Sequence, residues 1–272
     1  MDISKRKLPI GLQDFEDIRR GGYLYVDKTA YIYRLINCGK PYFLSRPRRF
    51  GKSLFLSTLR AFFEGKKELF EGLDIAELEK DDPDAWQEYP VFYIDFNRDE
   101  YKSEFAIEKV LEAHLVKWES VYDVDPGSFT LAGRFQNLLE TAYKKTGRGA
   151  VVLVDEYDKA LLEVSDQERL EHNKAVFKGF FSTLKSYDRY IKFVFITGVT
   201  KFSKVSIFSD LNQLKDISLV RDYSAICGIT ENEMKDAFMP EIEELANEDC
   251  ISTDECMRKL KKMYDGYHFS YN

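Results

Sequence analysis

Cysteine and histidine are scarce in this sequence, with 4 Cys and 3 His among 272 residues. Cys38, Cys227, Cys250 and Cys256 are too far apart for a Cys-x-x-Cys knuckle or redox pair, so they read as reduced packing residues. His114, His172 and His268 add little from which to build a zinc site. No stretch approaches the roughly 20 apolar residues that a membrane helix needs. The opening MDISKRKLPIGLQDFEDIRR also lacks the apolar segment of a secretory signal, so no membrane partner and a cytoplasmic location are expected. Positive charge is not in excess: 40 Lys and Arg against 47 Asp and Glu leave a net charge of −7. That argues against a protein that coats nucleic acid and leaves open only a local basic patch. No internal repeat or low-complexity tract interrupts the chain.

What is present is core-forming material. The sequence is 44% hydrophobic and 15% aromatic, with 21 Phe and 17 Tyr, enough for one elaborated domain or a core with an appendage. Four short apolar runs, Tyr42-Phe43-Leu44, Val91 to Phe96, Ala150 to Val154 and Phe193 to Thr197, are too continuously apolar for a sheet with one wet face. They predict a buried, mostly parallel sheet, and the helical stretches between them predict α/β layering.

The helical faces can be counted: Phe55, Leu59 and Phe62; Leu111, Leu115 and Trp118; Leu131, Phe135, Leu138 and Ala142; Leu170, Phe177, Phe181 and Leu184. Ser165 with Glu168, Thr230 with Glu233 and Ser252 with Glu255 each have capping-box spacing and mark helix starts. Strand signals stop near Thr230, and the following helices include one expected to break at Pro240. The chain therefore divides into a core over 1–229 and a small helical lid or appendage over 230–272. Its aromatic end, Tyr264 to Phe269, is expected of a packed element and of a chain that continues.

The strongest chemical signal is Ser45-Arg46-Pro47-Arg48-Arg49-Phe50-Gly51-Lys52-Ser53, after a strand and before an apolar-periodic helix. A loop of this kind turns backbone N–H groups and a helix N-terminus toward a polyphosphate. Its Lys reaches the β and γ phosphates, and its hydroxyl meets Mg²⁺. Gly51, Lys52 and Ser53 match those roles, while Arg46 falls where the pattern has its first glycine. A non-glycine residue disfavours positive φ, so the loop must enter by another path, one that Pro47 can stiffen. Arg46, Arg48 and Arg49 add charge suited to phosphate oxygens. With Pro47, Phe50 and the following Leu54, these residues form the expected nucleotide-binding stretch.

Farther along, Ala150 to Val154 delivers Asp155 and Glu156 at a strand's C-terminal end, the edge where ligands sit in open α/β sheets. One carboxylate is needed to support Mg²⁺ and another to polarise the attacking water, roles that suit Asp155 and Glu156 in turn. Asp158 is expected to start the next helix. Thr197 is placed either to sense the γ phosphate or simply to bond its own loop. The proposition underlying all of this is that the loop ending in Lys52 and the acids at 155 and 156 meet across adjoining strands.

Leu8-Pro9-Ile10-Gly11, Tyr25-Val26-Asp27-Lys28-Thr29, Arg46 to Ser53, Val154 to Lys159, Thr197 to Ser203 and Tyr264-Asp265-Gly266-Tyr267 together resemble the prokaryotic AAA-ATPase-like family. The resemblance spans nearly the whole chain and makes the missing first glycine a family trait. It implies an additional-strand P-loop NTPase core that binds ATP and Mg²⁺ and hydrolyses the nucleotide. It also implies possible self-association and, in many members, a nuclease-like domain of the PD-(D/E)xK type beyond the last residue seen here. Asp27, capping the helix that begins at Lys28, places its segment on the adenine side. Ala160 and His268 depart from the family pattern, where proline and arginine are expected.

Arg48, Arg49, Arg169 and Arg221 are candidates for an arginine acting on the transition state. Three functions share this machinery: an ATPase, a nucleotide-gated binding switch with little turnover, and a small-molecule kinase. Direct nuclease action by this chain has no support, because no Glu-x-Lys follows an Asp on a strand hairpin and Asp95 is more simply a strand-end polar residue. Direct nucleic-acid binding through the loop arginines competes with their service to phosphate, and nucleotide is favoured.

Overall fold

The four apolar runs form strands because each alternates its side chains between two faces that are both covered. The computed structural model describes residues 7–97, 101, 103–127, 129–200, 213–264 and 266–270. Two helices, α1 (Phe15–Arg20) and α2 (Thr29–Asn37), precede β1 (Pro41–Ser45), the phosphate-loop stretch and α3 (Lys52–Phe63). Then follow α4 (Asp74–Leu78), β2 (Val91–Asp95), α5 (Ala106–Tyr122), α6 (Leu131–Thr146) and β3 (Ala150–Asp155). After β3 come α7 (Lys159–Leu162), α8 (Gln167–Phe181), α9 (Thr183–Ser186), β4 (Ile191–Gly198) and the short β5 (Lys215–Asp216). A helical pair, α10 (Glu231–Glu248) and α11 (Thr253–Tyr264), completes the order.

The strands form one parallel sheet in the order β2-β3-β4-β1-β5. Phe43, Phe92, Ile94, Val152, Val154, Val194 and Ile196 face a layer built from α5, α6 and α8. Their alternates Tyr42, Leu44, Val151, Leu153, Phe193 and Phe195 face a second layer that includes Phe15, Leu35, Phe55, Leu59 and Phe62. The result is an α/β fold with a parallel sheet flanked by helices, the arrangement of an additional-strand P-loop NTPase. The additional strand is β4, which stands between β1 and β3. This corrects the expectation that the loop and the acids meet across adjoining strands, since one strand separates them.

The C-terminal pair has its own small core, Ile242, Ala246 and Cys256 with Met234, Phe238 and Leu260 packed around it. Thr230 and Glu233 form the expected capping box at its start. Three expectations about helices are revised. Helix α10 runs through Pro240 rather than breaking there. Pro240 lies on the exposed side, so the carbonyl left without its N–H partner can turn to water. The cap of α8 is Asp166, which accepts from Arg169 N at 2.8 Å, one residue beyond Ser165. The stripe ending at Leu184 is divided at Ser182 between α8 and α9. Among the described residues, no helix is long and apolar enough to cross a membrane.

Candidate functional site

The phosphate-loop stretch leaves β1 pinned on both sides. Ser45 N donates to Ser218 Oγ at 2.8 Å, and Arg46 N donates to Gly198 O at 3.1 Å. The left-handed residues of the loop are Arg49 (φ 67°) and Gly51 (φ 88°), not Arg46, so the position without its glycine does not need one. A Cβ on Gly51 would meet nothing within 4 Å, which makes the demand there conformational rather than steric. Gly51 is the N-cap of α3 and no side chain caps that end. The first-turn amides and the positive end of the helix dipole thus open onto the loop.

Lys52 is buried, with Nζ donating to Arg46 O at 3.0 Å and Pro47 O at 3.2 Å and lying 3.4 Å from Glu156 Oε1. Thus the lysine of the loop and the second acid of β3 are brought together. The first acid is tied to the same loop, because the Ser53 hydroxyl hydrogen-bonds the Asp155 carboxylate. Thr197, at the end of the interposed strand, donates its hydroxyl to Asp155 Oδ1 at 2.7 Å and accepts from Glu156 N at 3.4 Å. Rather than bonding only its own loop, it bridges β4 to β3.

Burial pushes the Asp155 carboxyl above its ordinary 3.8. The hydrogen bonds from Ser53 and Thr197 oppose this without overcoming it, and Asp95 and Glu156 add like charge. Glu156 has φ 49°, a left-handed conformation that costs a non-glycine residue about 1–3 kcal/mol. Residues held in such conformations cluster at functional sites, where surrounding contacts fix them.

Sequence reasoning missed Tyr93. Its hydroxyl donates to Asp155 Oδ2 at 3.3 Å, and burial, then the Asp155 charge, holds the phenol well above its ordinary value. Strand alternation puts Tyr93 and Asp95 on one side of β2, and that alternation was the available signal. Asp158 also differs from expectation, for it stands at the start of α7 without capping it. Its carboxylate accepts instead from Val199 N, Thr200 N and the Thr200 hydroxyl, clasping the exit of β4. Lys201, Phe202 and Ser203 of the Thr197 run lie outside the described residues.

The remaining loop residues divide. Arg48 and Arg49 are exposed. Arg49, Phe50, Gly51 and Leu54 line a cavity of about 210 Å³ together with Leu24, Val26, Ile226 and Ile229. Lys28 reaches the same cavity while bonding Ala225 O at 2.8 Å and Glu233 Oε1 at 2.5 Å. Helix α2 begins at Thr29 with Lys28 as its N-cap rather than at Lys28, and Asp27, just before the cap, accepts from Thr29 N at 2.7 Å while its other oxygen takes Asp74 N at 2.7 Å. The guanidinium of Arg46 is 1% exposed and donates to Ser218 O at 2.7 Å and Tyr223 O at 3.1 Å.

Of the other candidate arginines, Arg221 is exposed and Arg169 reaches Tyr101 O at 3.5 Å. His268 is exposed, 3.4 Å from the Ser270 hydroxyl. His172 pairs with Glu108 at 2.6 Å and His114 stacks on Trp118, so neither stands in a ligand set. Among the described residues, no group of three His, Cys, Asp or Glu could hold a metal ion. The oxygen pair of Ser53 and Asp155 instead fits a hard cation such as Mg²⁺, which takes one or two protein oxygens and completes its shell with phosphate and water. All four cysteines are free, Cys227 and Cys256 buried, and burial pushes the Cys227 thiol up to about 11.

These residues lie within a stretch that known proteins share. The chain is 38% identical over 273 residues to a protein of Azotobacter chroococcum mcd 1 described as an uncharacterized protein in the vnfD 5'region. The alignment covers 98% of this chain and 50% of that protein, so the chain spans about half the length of the curated relative it matches. A family model described as a predicted AAA-ATPase matches residues 9–208, which include the loop from Arg46 to Leu54 and the acids Asp155 and Glu156. The chain belongs to that predicted AAA-ATPase family.

Proposed function

We propose that this protein binds Mg²⁺-ATP at the junction of β1, β4 and β3 and hydrolyses it. The observation that carries the reading is the convergence of Ser53, Thr197 and Asp155 in one hydrogen-bonded cluster, with Lys52 and Glu156 3.4 Å apart beside it. In this reading Lys52 exchanges its bonds to the carbonyls of Arg46 and Pro47 for β and γ phosphate oxygens. The first-turn amides of α3 add their donors. Ser53 and Asp155 would hold Mg²⁺, which when bound supplies charge neutralisation along the triphosphate. Glu156 takes the proton of the attacking water as oxygen bonds to the γ phosphorus and the bond to the bridging oxygen breaks. Thr197 fixes the orientation of Asp155. The apolar cavity beside Gly51 and Leu54 is suited to the base, on the side formed by Leu24 to Val26.

One observation favours a second reading. Glu156 is buried and paired with Lys52, so a chain that binds nucleotide firmly but turns it over little, a gated switch, is its competitor. In both readings the output goes to an attached effector, a proposal supported by the relative's extra length. Assembly with further copies and a cytoplasmic setting belong to the same proposal. Glu156→Gln separates the two: for an ATPase it lowers kcat about 100-fold or more while Mg²⁺-ATP affinity changes little. Unchanged turnover would remove the proton-accepting role.

A further inference from the structure

The residue that replaces the first loop glycine is among the largest fully buried side chains of the protein. Arg46 donates to four carbonyls, Ser45 O at 2.9 Å, Ser218 O at 2.7 Å, Tyr223 O at 3.1 Å and Ser224 O at 3.4 Å. The remaining face of its guanidinium lies over the ring of Phe269, 4.1 Å from the centroid. At the other end of the loop, Phe50 packs edge-on against Tyr267 at 4.7 Å and Phe269 at 5.5 Å. Those two rings stack on each other at an interplanar angle of 11°. Phe50 O also accepts from Gly228 N at 2.8 Å, and a Cβ on Gly228 would stand 3.3 Å from the Phe50 ring.

The loop is thus gripped at both ends by aromatic residues that follow the α10–α11 pair. The grip bears on the phosphate-facing side through the backbone. Lys52 Nζ is held by the carbonyls of Arg46 and Pro47, the first of them belonging to the residue stacked on Phe269.

We propose that the segment from Tyr267 to Phe269 is a working part of the nucleotide site, a strap in which Phe269 and Tyr267 set the loop's shape through the positioning residues Arg46 and Phe50. This inference rests on reading the loop as a triphosphate site, and it explains the arginine: a glycine at position 46 would leave the Phe269 ring without its cation at the start of the loop. Linkage then requires reciprocity. If the docked strap raises nucleotide affinity by some factor, bound nucleotide tightens strap docking by the same factor. The nucleotide is thereby coupled to the helical pair that the strap follows.

The test uses the whole chain. Mg²⁺-ATP is titrated calorimetrically into the unaltered protein and into Phe269→Leu, Arg46→Lys and Phe269→Tyr. The first two remove the ring or the planar fork while keeping bulk or charge, and the third keeps a ring. Phe269→Leu and Arg46→Lys are expected to bind about tenfold more weakly, as loss of a desolvated cation–π contact would do, with Phe269→Tyr close to the unaltered protein. KM should rise in step while kcat changes less. Independently of any variant, hydrogen exchange of the amides in 266–270 is expected to slow when Mg²⁺-ATP is added to the unaltered chain. Unchanged affinity in both variants, or exchange in the strap that ignores nucleotide, would overturn the inference while leaving the site reading intact. If the unaltered chain failed to bind Mg²⁺-ATP, the site reading would fall and this inference with it.

Discussion

Removing the Asp158 carboxylate should loosen the exit of β4 at a cost that can be worked from its partners. Both oxygens lie 3.1 Å from Val199 N, one lies 2.6 Å from Thr200 N, and the same one accepts the Thr200 hydroxyl at 2.8 Å. Asp158 is 1% exposed, whereas Val199 and Thr200 are half-buried. In Asp158→Ala the hydroxyl can rotate to another acceptor, but two amides lose theirs. At about 1–3 kcal/mol for each unsatisfied buried donor, discounted toward the lower half for partial access to water, the loss is about 2–4 kcal/mol. Asp158→Asn keeps one acceptor oxygen and should lose about half as much. Urea unfolding followed by circular dichroism reads both, the midpoint moving with the slope unchanged. A loss below about 0.5 kcal/mol in Asp158→Ala would refute the assignment of Asp158 to the clasp, because an ordinary surface substitution costs no more.

Two further outcomes follow from charges away from the loop. Arg134 grips Glu119 between α5 and α6 with both contacts at 2.7 Å and reaches Glu112 at 3.3 Å, so Glu119→Leu alone should cost about 2–3 kcal/mol by leaving a buried guanidinium only that longer contact, and Glu119→Leu with Arg134→Met together should cost less. Burial alone would raise the Glu233 carboxyl, but hydrogen bonds from Lys28 and Thr230 outweigh it and hold the group below its ordinary 4.5. A depressed folded pKa contributes stability that is present above the unfolded value and lost as pH falls through the folded one. The Tm advantage of the unaltered chain over Glu233→Gln should therefore hold at neutral pH and vanish as pH falls below the carboxyl's ordinary 4.5. An advantage independent of pH would contradict the ion pair.

Where the sequence is legible, the reason is local. Four apolar runs specify buried strands because both faces of each need cover, and Gly51-Lys52-Ser53 and Asp155-Glu156 stand out because they end or follow such strands. The capping box at Thr230 and Glu233 is visible for the same reason, with both partners lying within one turn. What is hidden depends on residues distant in sequence. Nothing near Arg46 says that its acceptors lie at 218 to 224 and its ring at Phe269. Nothing near Asp158 points to the amides of Val199 and Thr200. Strand order is hidden too: β4 follows β3 in the chain but inserts between it and β1, so a loop and an acid pair expected on neighbouring strands meet across an intervening one. Pro240 misleads for another reason, since a proline on the wet side of a helix costs its hydrogen bond without ending the helix.

The most direct test of the central claim is a calorimetric titration of ATP into the unaltered chain and into Lys52→Ala, each with Mg²⁺ and with the metal chelated. The account predicts a single saturable site that weakens when Mg²⁺ is withdrawn. It also predicts binding to Lys52→Ala about 100-fold weaker, the consequence of losing a buried, charge-assisted contact worth a few kcal/mol. Equal affinity in the two proteins would contradict it.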